Sequence, residues 1–372
     1  MRTSRTSCTP RVRRPRGGDR NRPERAKRTR TPALSLGLVP AFVAVLSTSS
    51  AARAQTAVAL SRFEPSERGS RFFVADSLEL GHPAAASRPL VAAGLASSWA
   101  YRPYTYGTLR EGERSHLVEH ALYLHPGASV VIEPGARFAL DVPIAAFQSG
   151  EPTSLAGTRY GAPTAPRIGD VRASFDLRFA GPTSRDREGI AVAGGVTAWL
   201  PTGSGADFAG DDAARFGVHV VSAARFGRVL ASARVAYMYR REGWFGGSRL
   251  GSEVSTALGV AYATTGWTMG PELHAATVID APLSKRATPV EALAGVHRTF
   301  GPFRAGAGVG AALVGGLGAA HLRALLSFEW LPGSTSSPED RDRDGVPDAD
   351  DACPDVAGSR SEDAAASGCP RR

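Results

Sequence analysis

The sequence predicts an all-β fold, an antiparallel transmembrane β-barrel of about 12 strands followed by a short calcium-binding, disulfide-closed tail. Three observations point to the barrel. From residue 90 to 331 hydropathy alternates with a period of two, most alternating runs are 11 to 15 residues long, and short and long connections take turns. Soluble sheets use strands of about 5 to 6 residues, whereas a membrane-crossing strand needs about 9 to 11. A large soluble β-sandwich is the alternative for the same alternation, with shorter strands expected.

Residues 1–54 carry thirteen basic side chains against Asp19 and Glu24, a balance of +11. The whole chain is +9, so the remainder is −2 and the pI near 10.0 belongs to this first segment. Nucleic acid is therefore excluded as the partner of the rest. The run "ALSLGLVPAFVAVL" at 33–46 has 14 residues, too few for a helical span of about 20. Ala52-Arg53-Ala54 then fits the small-residue cleavage rule before Gln55. Residues 1–54 read as a secretion signal. Cys8 lies within them, leaving Cys353 and Cys369 as an expected disulfide of an exported chain. The pair closes a loop of about 17 residues, worth roughly 3 kcal/mol.

Residues 55–89, with "SRFEPSERGSRFF", do not alternate. They read as an N-terminal periplasmic arm or as a plug inside the barrel, and both readings stay open.

The barrel proper, 90–331, divides into expected strands at 90–104, 115–132, 136–148, 168–180, 188–201, 214–226, 228–241, 252–264, 266–279, 289–300, 302–313 and 319–331. In "DVRASFDLRF" Val171, Ala173, Phe175, Leu177 and Phe179 oppose Asp170, Arg172, Ser174, Asp176 and Arg178. In "RFALDVPIAAF" the apolar row is Phe138, Leu140, Val142, Ile144 and Ala146, and in "HLRALLSFEW" it is Leu322, Ala324, Leu326, Phe328 and Trp330. "EPG", "FGR", "ATTG" and "FGP" are tight turns, with "AGPTSRDREG" the long member of the same set, while the alternate connections tend to be longer and polar, which puts both termini on the periplasmic side. Trp99, Tyr101, Trp199, Tyr237, Tyr239, Trp267 and Trp330 fall near strand ends, where aromatic girdles sit. The lumen-facing candidates are Asp170, Arg172, Asp176, Arg178, Arg215, Arg234, Glu253, Glu272, Glu291, Arg304 and Arg323. Outer-membrane lipid is the expected surroundings of such a wall. A final strand ending on Phe328 and Trp330 resembles the recognition strand of bacterial outer-membrane barrels and implies the barrel-assembly machinery as a partner.

Residues 332–372 contain "DRDRDGVPDADDACP", with Asp340, Asp342 and Asp344 two apart, then Gly345, Asp348, Asp351 and Cys353-Pro354. Calcium takes six to eight oxygens, so carboxylates at this density suit it. Prolines 338, 347 and 354 disfavour the flanking helices of an EF-hand, and its twelfth position is Asp351 in place of glutamate. The spacing resembles the thrombospondin type 3 repeat, D-x-D-x-D-G-x-x-D-x-x-D-x-C-P, and matches every residue of it. The resemblance implies Ca2+ as cofactor, with Asp340, Asp342, Asp344, Asp348 and Asp351 as ligands in a calcium-ordered linker.

A barrel followed by such a repeat resembles the OmpA family of outer-membrane proteins, which implies the outer membrane of a Gram-negative bacterium with the tail in the periplasm. In that family a peptidoglycan-binding domain follows the repeat. This sequence stops at Arg372, so no residue takes that role.

Enzyme motifs fail on context, and no catalytic residues are expected. "HLVEH" at 116–120 has inverted zinc-protease spacing, but on a strand Glu119 points away from His116 and His120. "GAGVGAALVGG" at 306–316 lies on an expected strand with no following helix to complete a nucleotide loop. Two roles remain. The first is an envelope-integrity or adhesion scaffold, and the alternative is a porin-like channel for small solutes. Strand count separates them, because eight-stranded barrels are filled by their side chains and wider ones leave space.

Overall fold

In the computed structural model, residues 58–59, 61–78, 90–104, 117–132, 135–181, 188–282, 287–332, 342, 344–346, 351–361, 363 and 366–370 are described. In chain order the strands are β1 (Leu90–Tyr101), β2 (His120–Ile132), β3 (Ala136–Asp141), β4 (Ile144–Ser149), β5 (Thr153–Leu155), β6 (Thr158–Tyr160), β7 (Arg167–Ile168), β8 (Val171–Ala180), β9 (Gly189–Leu200), β10 (Arg215–Phe226), β11 (Val229–Tyr239), β12 (Gly243–Phe245), β13 (Ser248–Leu250), β14 (Glu253–Thr264), β15 (Trp267–Val278), β16 (Val290–Phe300), β17 (Phe303–Val314) and β18 (Leu322–Trp330).

The sheet closes on itself. Antiparallel neighbours run β1-β18-β17-β16-β15-β14-β11-β10-β9-β8-β3-β2, and β1 also pairs with β2. Ala93 lies opposite Trp330 on one side and Ala128 on the other. With β4 continuing β3 and β7 preceding β8, this is a closed barrel of twelve strands. At about 3.3 Å per residue and a tilt near 40°, a 12-residue strand rises about 30 Å, the thickness of a bilayer's hydrocarbon core.

The interruption of the third expected strand has a local cause. Pro143 has no N–H for the ladder, and Val142 donates instead to the Pro126 carbonyl at 3.0 Å. A bulge follows, where Leu122 pairs with Phe147 and Tyr123 with Ala145, so Ala146 is skipped. The parity therefore flips: Phe147 faces out, while Ala145 and Gln148 face in. Ala146 is thus not part of a continuous outward row.

Elsewhere the alternation sorts the two faces. Phe138, Phe179, Val218, Val235, Val309, Leu326 and Phe328 are exposed outside, and their sequence neighbours Arg137, His219, Glu329 and their like are buried inside. Trp199 departs from the girdle expectation. It is buried on the inner face, with the Arg215 guanidinium 5.1 Å from its ring.

At the short-turn end most connections are a few residues long. The long-loop end carries a 3-10 turn (Gly205–Asp207) and two small hairpins, β5-β6 and β12-β13. Ala156 and Gly157, then Gly246 and Gly247, hold positive φ at the hairpin tips, as tight two-residue loops require. Among the described residues no helix is long and apolar enough to cross a membrane. In the tail, Cys353 and Cys369 form the disulfide.

Candidate functional site

The lumen is occupied by the chain's own residues 61–78. Their backbone makes no barrel ladder, so its polar groups must find partners on the wall. Glu272 of β15 accepts three consecutive amides, from Phe73 at 2.7 Å, Val74 at 2.8 Å and Ala75 at 2.9 Å. Arg304 of β17 donates to the Gly69 and Ser70 carbonyls, each at 2.8 Å. Ser232 of β11 donates to the Asp76 carbonyl at 2.6 Å, and Arg172 of β8 to the Pro65 carbonyl at 2.7 Å.

Side chains extend the grip around the wall. Arg68 pairs with Asp141 at 2.9 Å and Glu329 at 3.7 Å. Asp76 binds Arg137, which also reaches Asp176, and Asp176 takes His219 at 2.6 Å. Glu64 and Glu67 each lie 3.6 Å from Arg172, and Arg62 pairs with Glu253. Arg323 is held by two contacts of 2.9 Å to Glu291 and lies over the Phe63 ring at 4.7 Å. Six or more separate strands thus hold one short segment.

Apolar side chains of the segment sit where the wall is thinnest. A Cβ at Gly259 would stand 2.8 Å from the Phe72 ring, and Cβ atoms at Gly295 and Gly308 would stand 2.8 and 2.9 Å from Phe73. Side-chain atoms at such distances clash, so these glycines are seats for the two phenylalanines. In the glycine-rich run of β17 it is Gly308 that serves this purpose. His297 lies tilted against Phe73, with ring centroids 4.5 Å apart.

The sequence-derived lumen residues can now be placed. Asp170, Arg172, Asp176, Arg215, Glu253, Glu272, Glu291, Arg304 and Arg323 are buried on the inner face, and Arg234 is half-buried there. Arg178 is apart from them, at the short-turn rim beside Gly135. The segment's own members, Arg62, Arg68 and Asp76, went unassigned in the sequence. Their charges do not alternate, and no periodicity marks a chain that runs along a barrel instead of within its wall.

Over the long-loop end lies an apolar cluster. Val58, Tyr104, Leu117, Leu155, Tyr160, Phe208, Phe245, Leu250 and Leu317 are buried together, with Phe245 at 4.9 Å from Tyr160 and 5.0 Å from Tyr104, ring to ring. Asp211 ties this cap to the segment: it accepts the Ala59 amide at 2.8 Å and contacts Arg215 and Arg240, each at 3.0 Å. Burial pushes the Asp211 carboxyl up, but Arg240, Arg215, the Ala59 amide and Arg62 outweigh this and hold it below its ordinary value. Among the described residues the luminal space includes two small cavities, about 60 Å3 beside Arg234 and about 40 Å3 beside Asp141.

In the tail, carboxylate oxygens of Asp342, Asp344 and Asp351 lie within 4.8 Å of one another. Gly345 has φ +91°, which turns the backbone between them. Asp351 Oδ1 accepts the Cys353 amide at 2.7 Å, while its Oδ2 is buried without a hydrogen-bond partner. Hard oxygens and an orphaned carboxylate atom fit a calcium ion. Asp340 and Asp348 lie outside the described residues, as does His116.

No family model matches this chain, and no curated protein is significantly similar to it. Solved structures similar to it include an outer-membrane channel from Pseudomonas putida F1, with 10% identity, TM-score 0.47, and 67% of this chain and 99% of that one covered. The NanC porin follows at 11% identity and TM-score 0.40, covering 64% and 97%. The Pseudomonas putida toluene transporter TodX has 10% identity and TM-score 0.36, covering 76% and 98%. At such low values these likenesses carry no argument about function, which has to rest on the lumen itself.

Proposed function

We propose that this chain is an outer-membrane barrel of a Gram-negative envelope and works as a gated, porin-like channel for small solutes, with residues 61–78 as its plug. One observation carries the reading: the lumen is filled by a separate segment whose backbone and charged side chains are held by wall residues, with Phe63, Phe72 and Phe73 packed beside them against wall residues such as Leu293, Leu325 and Leu230. A barrel of twelve strands has interior space, and a segment bound by hydrogen bonds exchanges those bonds for water when it leaves. The apolar outer face supports a lipid setting, because exposed Phe, Leu and Val rows around a closed sheet are unfavourable in water.

In this reading Glu272, Arg304 and Arg137 hold the plug, Gly259, Gly295 and Gly308 receive its rings, and the long loops shut the outer mouth. The test is single-channel conductance of the refolded chain in a planar bilayer. The wild type is expected to be mostly silent with rare openings, and Glu272→Gln to open often. Silence in both, with residues 61–78 released as judged by their protease sensitivity, would leave the envelope-scaffold or adhesion role as the better account.

For the tail, the reading is a calcium-ordered periplasmic linker, with Asp342, Asp344 and Asp351 among the ligands. Calcium would neutralise the clustered carboxylates and order the linker. Terbium luminescence on the full chain, competed by calcium and lost in Asp351→Asn, tests it. The barrel-assembly machinery and outer-membrane lipid are the partners this reading entails.

A further inference from the structure

The charges around the larger luminal cavity do not balance. Three of its arginines are matched by carboxylates: Arg62 by Glu253, Arg240 by Glu253 at 2.9 Å and Asp211 at 3.0 Å, and Arg215 by Asp211 at 3.0 Å and Asp170 at 3.3 Å. Glu64, which also lines it, is engaged by Arg172 at 3.6 Å. Arg234 is the exception. It lines the same cavity from β11, half-buried, and has no carboxylate within salt-bridge reach among the described residues.

The smaller cavity makes a useful contrast. Its Arg172 faces Glu64 and Glu67, and its His125 meets Asp141 at 3.0 Å, so no cation there is left over. An uncompensated guanidinium removed from bulk water draws an anion, because the interior screens charge poorly and the five donors of arginine need acceptors. His274, Ser255 and Thr256 line the same space and supply further polar atoms. About 60 Å3 holds a few waters or one small ion.

We propose that the cavity beside Arg234 is a luminal subsite for a small anion, of the halide or monocarboxylate class, through which such solutes bind on their way along the barrel. The path rests on the channel reading; the binding does not. Val74 of the plug and Arg62 form part of the lining, so the site exists with the plug in place.

Trp199 lines the cavity and is the tryptophan on the inner face, while Trp244, Trp267 and Trp330 are exposed and Trp99 is half-buried on the outer face beside Tyr101 and His120. Iodide quenching of tryptophan fluorescence on the full, refolded chain therefore reads the site. The expected result is a saturable component on top of linear quenching, competed by formate and absent in Trp199→Phe. Arg234→Gln should shift that component about tenfold or more to higher iodide, the loss of one hydrogen bond to a charged group. Arg234→Lys should keep it. Strictly linear quenching in the wild type, or an unshifted component in Arg234→Gln, overturns the proposal, and the wild-type curve does so even if the variant does not fold. Conductance separates the two readings. Saturable quenching with no openings in the Glu272→Gln chain removes the channel and keeps the subsite; openings with linear quenching do the reverse.

Discussion

The long-loop mouth and the lumen are both closed in this barrel, by different balances of apolar and polar contact. The mouth is sealed by a buried aromatic and aliphatic cluster around Phe245 and Leu155. The lumen is filled by a segment held through Glu272, Arg304, Arg137 and Arg68. Apolar burial is non-directional and is not screened by salt as charge pairs are. A buried ionic network is directional, and removing one member strands its partner. The cap is therefore expected to resist loosening as an ordinary core does, whereas the segment is expected to answer also to loss of a single charged partner.

The largest effect is expected at the mouth. Phe245→Ala should cost about 3–5 kcal/mol by leaving a cavity, read as faster hydrogen exchange in β5-β6 and β12-β13. The loss should be equal at low and high salt, with amides of 73–75 unchanged. If those amides loosen too, the two regions are one unit and the comparison fails.

Glu272→Gln comes next, at about 1.5–3 kcal/mol for weakened bonds to three amides. Here the amides of 73–75 should exchange faster while the loop hairpins keep their protection. Gly295→Ala should follow with about 1–3 kcal/mol of overpacking against Phe73. It removes no charge, so a similar gain in channel opening would identify displacement of the plug, and not loss of a carboxylate, as the opening step.

The smallest effect sharpens the boundary between the regions. Asp211 has its pKa depressed in the folded chain. Its contribution is present above the ordinary 3.8 and is lost as pH falls through the lower folded value. Acidification below 3.8 should thus free Ala59 before the aromatic cap opens, seen as exchange of the Ala59 amide ahead of those at 243–250. Simultaneous exchange would show that Asp211 does not couple the two.

Much of the barrel was legible because its walls obey a strict local rule. Period-two alternation, strand length and turn length are each readable within a dozen residues, and twelve strands emerged with most boundaries within a few positions of those observed. Pro143 was visible, yet the bulge at Ala146 depended on the register of β2 beside it. Trp199 was read as an interfacial residue from its place near a strand end, and Arg215 decides otherwise by lying against its ring inside. The glycines of β17 were read as small wall residues, and the place of Gly308 among them is set by Phe73, more than two hundred positions away.

By itself the sequence determined the strand architecture, the inward set of charges and the aspartate-rich tail, since each follows from neighbours along the chain. Only the tertiary structure decided that residues 61–78 lie in the lumen, which strand holds which backbone group, and that Arg234 meets no carboxylate among the described residues. The physical reason is range. Alternation is a local property of the backbone, whereas charge pairing inside a closed barrel depends on side chains brought together from opposite walls.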